Sequence, residues 1–184
     1  DVISVIHRGV DLGQYTFDFT PSKAWTEEWY AQFPQMQGKQ LLTLPGRLTR
    51  LKGHHDFLTL IESLVKNGSC VHGVIVGGTH PNKHTYEEGL KQVIDRLAIE
   101  ENVTLLGHRP DLKEILALSS IVFSMSTEPE AFGRTTIEAL SLGRPVIGYS
   151  HGGVKEQLEL VLSDGLVPVG SIQSAIKKTN VWLL

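Results

Sequence analysis

The sequence predicts an α/β fold built on a doubly wound parallel sheet. Short apolar runs bounded by glycine or proline recur along the chain, and such runs are typical of strands buried on both faces of a parallel sheet. Between them lie longer segments in which apolar residues return at the spacing of a helix that covers one face of a sheet. Strand and helix alternate from residue 40 onward, which favours parallel strands joined by helical crossovers.

The predicted strands are short and separated by glycine-rich or proline-rich turns. One strand, at residues 2–6, opens the chain. Residues 11–39 hold prolines and glycines without a regular pattern, and we interpret them as an irregular connector with one short helix at residues 25–33. From residue 40 onward five further strands are expected, at residues 41–44, 74–76, 103–106, 121–123 and 146–147.

The predicted helices lie between and after these strands. Apolar residues at helical spacing mark the first two. Pro110 suits the first turn of a third helix, and Gly143 suits the C-terminal end of a fourth. Two shorter patterns follow nearer the end of the chain. The six helices are therefore expected at residues 57–65, 90–97, 110–116, 134–142, 155–160 and 171–178.

The composition fits one globular domain that can bury a core, with 184 residues of which 41% are hydrophobic and 20% charged. A net charge of −3 gives no general attraction to nucleic acid, so nucleic acid is not an expected partner. The single cysteine, Cys70, excludes an intrachain disulfide and is expected to be a small buried side chain. The chain starts at Asp1 on a predicted strand, and we interpret it as a piece of a longer protein.

The loops that leave the strands are the expected place for a ligand. In doubly wound sheets, ligands bind outside the carboxyl ends of the strands, where the N-termini of the following helices point. Those loops hold seven of the 18 glycines of the chain and several charges. They are residues 45–47, 77–78, 107–109, 124–133 and 150–153.

One of these loops carries the sequence EPEAFGRTTIEAL, residues 128–140, with an acid on each side of a predicted helix start. The first amides of a helix that begins near Gly133 favour an anionic phosphate. Glu130 precedes that start, and Glu138 lies roughly 7 Å along the helix axis. Two carboxylates beside a phosphate suit the hydroxyl groups of a nucleotide sugar, and the cations Arg47 and Lys52 from another loop would offset their charge.

Several short motifs occur in order along the chain, each near the end of a predicted strand. They are Gly46-Arg47 followed by Lys52-Gly53, then Gly77-Gly78, Val103 to Arg109, the pair Glu130 and Glu138, and Gly143 to Gly148 with Gly152-Gly153. From about residue 1 to about residue 170, the chain resembles the C-terminal domain of family 4, or group 1, glycosyltransferases. Their GT-B fold has two Rossmann-like halves, and the resemblance implies that this chain is one of them.

The resemblance implies a role for each matching residue. Arg47 and Lys52 would hold the pyrophosphate of a nucleoside-diphosphate sugar, Glu130 would act at the sugar as the catalytic residue, and Glu138 would bind the ribose. The loop that contains Gly107 and Arg109 would line the base. The resemblance further implies contacts to the sugar hydroxyls and phosphate from the backbone at Phe132, Gly133, Arg134 and Thr135.

The resemblance also implies the reaction and its setting. Residues 1–184 would be the donor-binding half of a retaining transferase that needs neither a metal nor a cofactor. A glycan or lipid-linked glycan acceptor would be held by an absent N-terminal domain, so that the isolated domain binds the donor without turning it over. A cytoplasmic location is expected, with peripheral attachment to the inner face of a membrane through the absent half.

Two other functions fit part of the sequence. A glycosidase also uses two carboxylates, about 5 to 9.5 Å apart, but it would have little use for Arg47 and Lys52. A regulatory module would bind the nucleotide without any transfer. Donor turnover by the complete protein separates these from a transferase.

Some charged residues have alternative interpretations. Arg134 stands where related enzymes often have an aliphatic residue, and Glu128 is a second acid close to Glu130. His80 and His84 have the spacing of two metal ligands on a helix, but no third ligand is placed by spacing, and a zinc site is not expected. His54 and its neighbour are expected either to face solvent or to help set a helix start.

Overall fold

The computed structural model describes residues 9–79 and 85–184 and contains one six-stranded sheet in which every strand pair is parallel. The strand order is β3-β2-β1-β4-β5-β6, the order of a Rossmann-like doubly wound fold. The fold prediction is therefore confirmed. The strands are β1 (Gln40–Pro45), β2 (Val71–Val76), β3 (Val103–Leu105), β4 (Ile121–Ser124), β5 (Val146–Tyr149) and β6 (Leu166–Val167).

Seven α-helices lie in the part of the chain that the structure describes. They are α1 (Lys23–Gln32), α2 (His54–Lys66), α3 (Thr85–Leu97), α4 (Leu112–Leu118), α5 (Arg134–Ser141), α6 (Gly152–Val161) and α7 (Ile172–Trp182). None of them is both long and apolar enough to cross a bilayer.

The predicted strands from residue 41 to residue 147 are confirmed, and strand β6 was missed. A run of two residues has no periodicity to detect, and β6 is defined by its pairing with β5, Gly148 opposite Leu166 and Tyr149 opposite Val167. Helix α6 starts three residues before the predicted helix. The prediction began too late because glycine has a low intrinsic helix propensity, and α6 begins with Gly152 and Gly153. The strand predicted at residues 2–6 lies outside the described residues.

The sheet is covered on both faces, as the alternation of side chains along its strands requires. On one face, Leu42 and Leu44 of β1 pack in a core with residues of α2, α3 and α7. On the other, Leu41 of β1 packs with α1 and α4, and Val122 of β4 packs with α4, α5 and α6. Residues 11–39 therefore include a helix, α1, whose Trp29 is buried in this second layer.

Two side chains differ from the sequence-based expectation. Cys70 was expected to be buried but is exposed, because it lies between the end of α2 and the first residue of β2, where Sγ is 3.9 Å from the carbonyl oxygen of Gly38. His54, for which solvent exposure was one alternative, is fully buried at the start of α2, whereas His55 is exposed. The other alternative, that this histidine helps to form the start of the helix, is therefore the one that fits His54.

The strand order places a topological switch point between β1 and β4. The helices that follow these two strands, α2 and α5, cover opposite faces of the sheet. The two helices therefore diverge from the carboxyl edge, which is where doubly wound sheets bind their ligands. Gly53 brings the two loops together, since it has a φ of 72° and lies so close to the carbonyl of Met125 that a side chain would overlap it.

Replacing Gly53 by alanine should destabilise the protein more than the same change at Gly38. Both glycines have a left-handed backbone, with φ of 72° and 75°, and a side chain there costs about 1–2 kcal/mol. At Gly38 a Cβ atom meets nothing within 4 Å, whereas at Gly53 it overlaps the backbone of Met125. We expect a further loss of about 1–3 kcal/mol for Gly53→Ala, measured by urea unfolding. Equal losses for the two variants would show that the approach of the two loops is not needed for stability.

Candidate functional site

The candidate site lies at the switch point, where residues 46–53 after β1 meet residues 125–133 after β4. A 3₁₀ turn, Arg50–Lys52, ends the first loop. The backbone N–H of Thr127 in the second loop donates to the carbonyl of Leu51, at 2.8 Å. The two loops are therefore joined by their backbones before any side chain is considered.

Lys52 and Glu130 form an ion pair across this junction. Nζ of Lys52 is 2.8 Å from Oε1 of Glu130, and each side chain is about one quarter exposed (24% and 26%). The hydroxyl of Ser126 donates to the same carboxylate oxygen. The structure thus brings together two residues that the sequence analysis had placed in one site from separate loops.

The surroundings of Glu130 keep its carboxyl group ionised. Burial acts most strongly and by itself raises the pKa of Glu130, because it penalises the charged form. The hydrogen bonds from Lys52 and Ser126, with the positive charge of Lys52 and a contribution from His151, outweigh burial and leave the pKa below its ordinary value. Glu130 is therefore a charged hydrogen-bond acceptor at neutral pH.

The N-terminal part of α6 holds the loop that carries Glu130. The N–H of Gly153 donates to the carbonyl of Glu130 at 2.8 Å, and the side-chain amide of Gln157 donates to the carbonyl of Phe132. Nε2 of His151 lies 2.7 Å from the carbonyl of Ser126. No role had been predicted for Ser126, His151 or Gln157. The pair Gly152-Gly153 was the only signal in that region, and it did not identify these contacts.

Helix α5 starts at the same edge without a side-chain cap. Its N-cap is Gly133, with a φ of 73°, and no side chain hydrogen-bonds to that end of the helix. The first amides of a helix have no partner within the helix and carry the positive end of its dipole. Arg134 and Thr135, whose backbones were predicted to contact the ligand, are the first two residues of this helix, and Phe132 lies half-buried just before it.

The second acid of the motif, Glu138, lies deeper in the fold. It is 7% exposed, and Oε1 lies 3.2 Å from Nε of Arg134, one helical turn earlier. Burial raises the pKa of Glu138, and the charge of Arg134 opposes this effect without cancelling it. The unusual Arg134 therefore has a structural partner, and the pKa values of the two glutamates shift in opposite directions.

The remaining predicted residues occupy different surroundings. Arg47 is exposed on the loop after β1. The carbonyl of Gly107 accepts from the N–H of Gly77 at 2.8 Å, which keeps this loop at the carboxyl edge of the sheet. The guanidinium of Arg109 donates to both carboxylate oxygens of Asp111, at 2.8 and 2.7 Å. Contact of this loop with a base stays a prediction, and the Arg109 guanidinium already has a protein partner.

Asp111 and Arg109 line a cavity of about 500 Å³ between α1 and the loop before α4. The indole N–H of Trp25 donates to Asp111 at 3.0 Å, and the Arg109 guanidinium lies 5.7 Å from the ring centre of Trp29. These contacts fasten α1 to the loop. They also hold the charged group of Arg109 against α1.

Within residues 9–79 and 85–184, no three His, Cys, Asp or Glu side chains are grouped so that they could hold a metal ion. The pair His80 and His84, considered as metal ligands from their spacing, lies outside those residues. The charged side chains of the candidate site are Lys52, Arg47, the two glutamates and Arg134.

The sequence profile of the family described as glycosyl transferases group 1 matches residues 26–184. The chain belongs to this family, as the motifs predicted. D-inositol 3-phosphate glycosyltransferase of Segniliparus rotundus is 27% identical over 172 residues, which are 90% of this chain and 36% of that enzyme. Spore coat protein SA of Bacillus subtilis is 24% identical over 157 residues, 84% of this chain and 42% of that protein.

Solved structures show the same fold. HepE of Anabaena, crystallised with UDP and glucose, has a TM-score of 0.85 and 27% identity, with 98% of this chain matching 47% of the HepE chain. The C-terminal domain of the group 1 glycosyl transferase LpcC from Francisella tularensis has a TM-score of 0.75 and 23% identity, with 95% of this chain matching 88% of that domain. The chain spans about half the length of the HepE chain.

Acid should weaken the fold through His54, which lies directly after the turn that carries Lys52. Burial lowers the pKa of His54 to about 4, whereas an unfolded histidine titrates near 6.5. The unfolded chain therefore binds more protons between these values. The stability contributed by neutral His54 is complete above about pH 6.5 and is lost as the pH falls toward 4.

We expect His54 to account for a loss of about 2 kcal/mol in the free energy of unfolding between pH 7 and pH 5. His54→Asn, measured by urea unfolding at both pH values, should reduce the loss by that amount. His55→Asn is the matched control because His55 is exposed, and it should leave the loss unchanged. The same pH dependence in wild type and His54→Asn would contradict the prediction.

Proposed function

We propose that this domain binds a nucleoside-diphosphate sugar at the carboxyl edge between β1 and β4 and forms the donor-binding part of a retaining glycosyltransferase. The observation that carries the proposal is the contact between Lys52 and Glu130 across the switch point, beside the uncapped start of α5. Membership of the group 1 family supports a transferase. The complexes of HepE with UDP and glucose and with UDP-glucose make a UDP-sugar the first donor to test.

The diphosphate is assigned to Lys52, Arg47 and the first amides of α5. Lysine supplies a point charge, arginine a planar fork for two phosphate oxygens, and the helix start a set of aligned N–H groups. In the free protein Lys52 is paired with Glu130. A bound diphosphate would share that ammonium group, so its charge would balance the carboxylate and the phosphate together.

The two glutamates are assigned to the hydroxyl groups at the two ends of the donor. Glu130 is ionised and partly exposed at this edge, which suits an acceptor for hydroxyls of the transferred sugar. Glu138 is assigned to the ribose, where a carboxylate accepts from paired hydroxyls. Arg134, which pairs with Glu138, would then be a further cation beside this part of the donor.

Catalysis in this proposal comes from stabilising the departing diphosphate. The cations and the helix dipole act on the negative charge that grows as the bond to the sugar breaks, and a site of fixed dipoles does this without reorganisation. No metal ion is part of the proposal. The bond from the anomeric carbon to the diphosphate breaks, a bond to a hydroxyl oxygen of a glycan or lipid-linked glycan replaces it with retention of configuration, and the hydroxyl proton leaves with the diphosphate or to solvent.

The acceptor is assigned to a second domain of the complete protein. The relatives named above are about two to three times as long as the matched region. Closure of two domains over a cleft would exclude water and complete the site. We propose a cytoplasmic enzyme that reaches a membrane through this other domain.

Binding of UDP should depend on both cations. In isothermal titration calorimetry of this chain, Lys52→Ala and Arg47→Ala should each weaken UDP binding by about 10- to 100-fold, since a hydrogen bond to a charged group contributes about 1.5–3 kcal/mol. Lys66→Ala removes the same charge at the far end of α2 and is the matched control. The base is identified by titrating GDP and ADP in parallel. Unchanged affinity in both site variants would refute the assignment of the diphosphate.

Sugar transfer should depend strongly on Glu130, whereas nucleotide binding should depend on it only weakly. In the complete enzyme, Glu130→Gln should lower kcat by at least about 100-fold, because a charged acceptor at the reacting sugar is lost, while the Kd of UDP stays within about twofold. Glu128→Gln is the control, since Glu128 is exposed two residues earlier. Full activity of Glu130→Gln would exclude its catalytic role. A complete wild-type protein that binds UDP but turns over no sugar nucleotide would favour a regulatory module.

A further inference from the structure

The carboxylate of Glu130 receives both of its protein donors on one oxygen. Nζ of Lys52 and the hydroxyl of Ser126 each contact Oε1. The serine is 5% exposed and comes from the same loop as Glu130, four residues earlier. Its hydroxyl is thus a buried donor aimed at the acid of the candidate site.

Ser126 is itself held from two sides. Its carbonyl is 2.7 Å from Nε2 of His151, and because a carbonyl oxygen only accepts, this ring nitrogen carries the hydrogen. The next residue, Thr127, donates its N–H to Leu51 at 2.8 Å. The hydroxyl of Ser126 is therefore positioned by the start of α6 and by the turn that carries Lys52.

We infer that Ser126 is a positioning residue for Glu130, an inference that rests on the function proposed above. Ser126 and Lys52 together occupy Oε1 of Glu130, and this fixes the carboxylate so that Oε2 accepts from a hydroxyl group of the donor sugar. His151 acts one step further out, through the backbone of Ser126.

The serine and the lysine have different tasks in this arrangement. A diphosphate competes with Glu130 for the charge of Lys52, so this contact is weakened when the donor binds. The neutral hydroxyl of Ser126 is oriented by the loop and stays on Oε1. Ser126 is then the donor that keeps Glu130 in place and ionised in the complex.

The first test measures the pKa of the Glu130 carboxyl group in the ligand-free chain by carbon-13 NMR. Ser126→Ala removes a hydrogen bond to the charged form, so the pKa of Glu130 should rise, while Lys52 and His151, the other charged and titratable groups that act on it, remain. Ser126→Thr retains a hydroxyl and should restore the wild-type pKa. If Thr is too large for the site, Ser126→Cys provides a weak donor of similar size and an intermediate pKa. An unchanged pKa in Ser126→Ala overturns the inference.

The second test compares UDP with UDP-glucose and UDP-N-acetylglucosamine in calorimetry. Ser126→Ala should leave the Kd of UDP within about twofold of the wild-type value. The Kd of each sugar nucleotide, divided by that of UDP, should rise by about 10-fold, the effect expected from the loss of one neutral hydrogen bond. A merely structural role would weaken UDP and the sugar nucleotides alike, and that result overturns the inference. If the wild-type chain binds no UDP, the proposed function is refuted instead. The pKa measurement would still report on the contact between Ser126 and Glu130.

Discussion

The ion pair between Lys52 and Glu130 is the constraint on which the architecture of the site depends. The two residues are 78 positions apart in sequence and meet at 2.8 Å because β1 and β4 are adjacent parallel strands that end at the same edge. The helices that follow cover opposite faces of the sheet, and this is the edge where doubly wound sheets bind ligands. The ion pair lies at that edge, so the acid lies beside the place proposed for a diphosphate.

Burial has opposite consequences for the two glutamates of the motif. Glu130 has two close donors, and its pKa lies below the ordinary value in spite of desolvation. Glu138 is more deeply buried beside a single, largely exposed arginine, and its pKa lies above the ordinary value. Identical side chains eight residues apart are thus given different electrostatic properties by their neighbours. The same contrast supports different roles for them toward one ligand.

The local elements were accessible from the sequence, and so was the meeting of Lys52 with Glu130. Apolar periodicity and glycine or proline boundaries predicted the strands from residue 41 to residue 147, because strands buried on both faces are continuous apolar runs. The ordered motifs predicted the family, and the resemblance carried Arg47, Lys52 and the two glutamates into one site. Strand β6 was missed because two residues carry no pattern, and Cys70 was misplaced because burial depends on the packing around a turn rather than on residue type.

The sequence by itself determined which segments are strands and helices, and which loops carry charge, because these properties repeat over a few neighbouring residues. Only the tertiary structure decided which side chains meet. Ser126 and His151 joined the surroundings of Glu130, Arg109 was found bound to Asp111, and Arg134 to Glu138. Contacts of this kind depend on the packing of whole loops and helices to within a hydrogen-bond length, and short-range sequence patterns do not encode that distance.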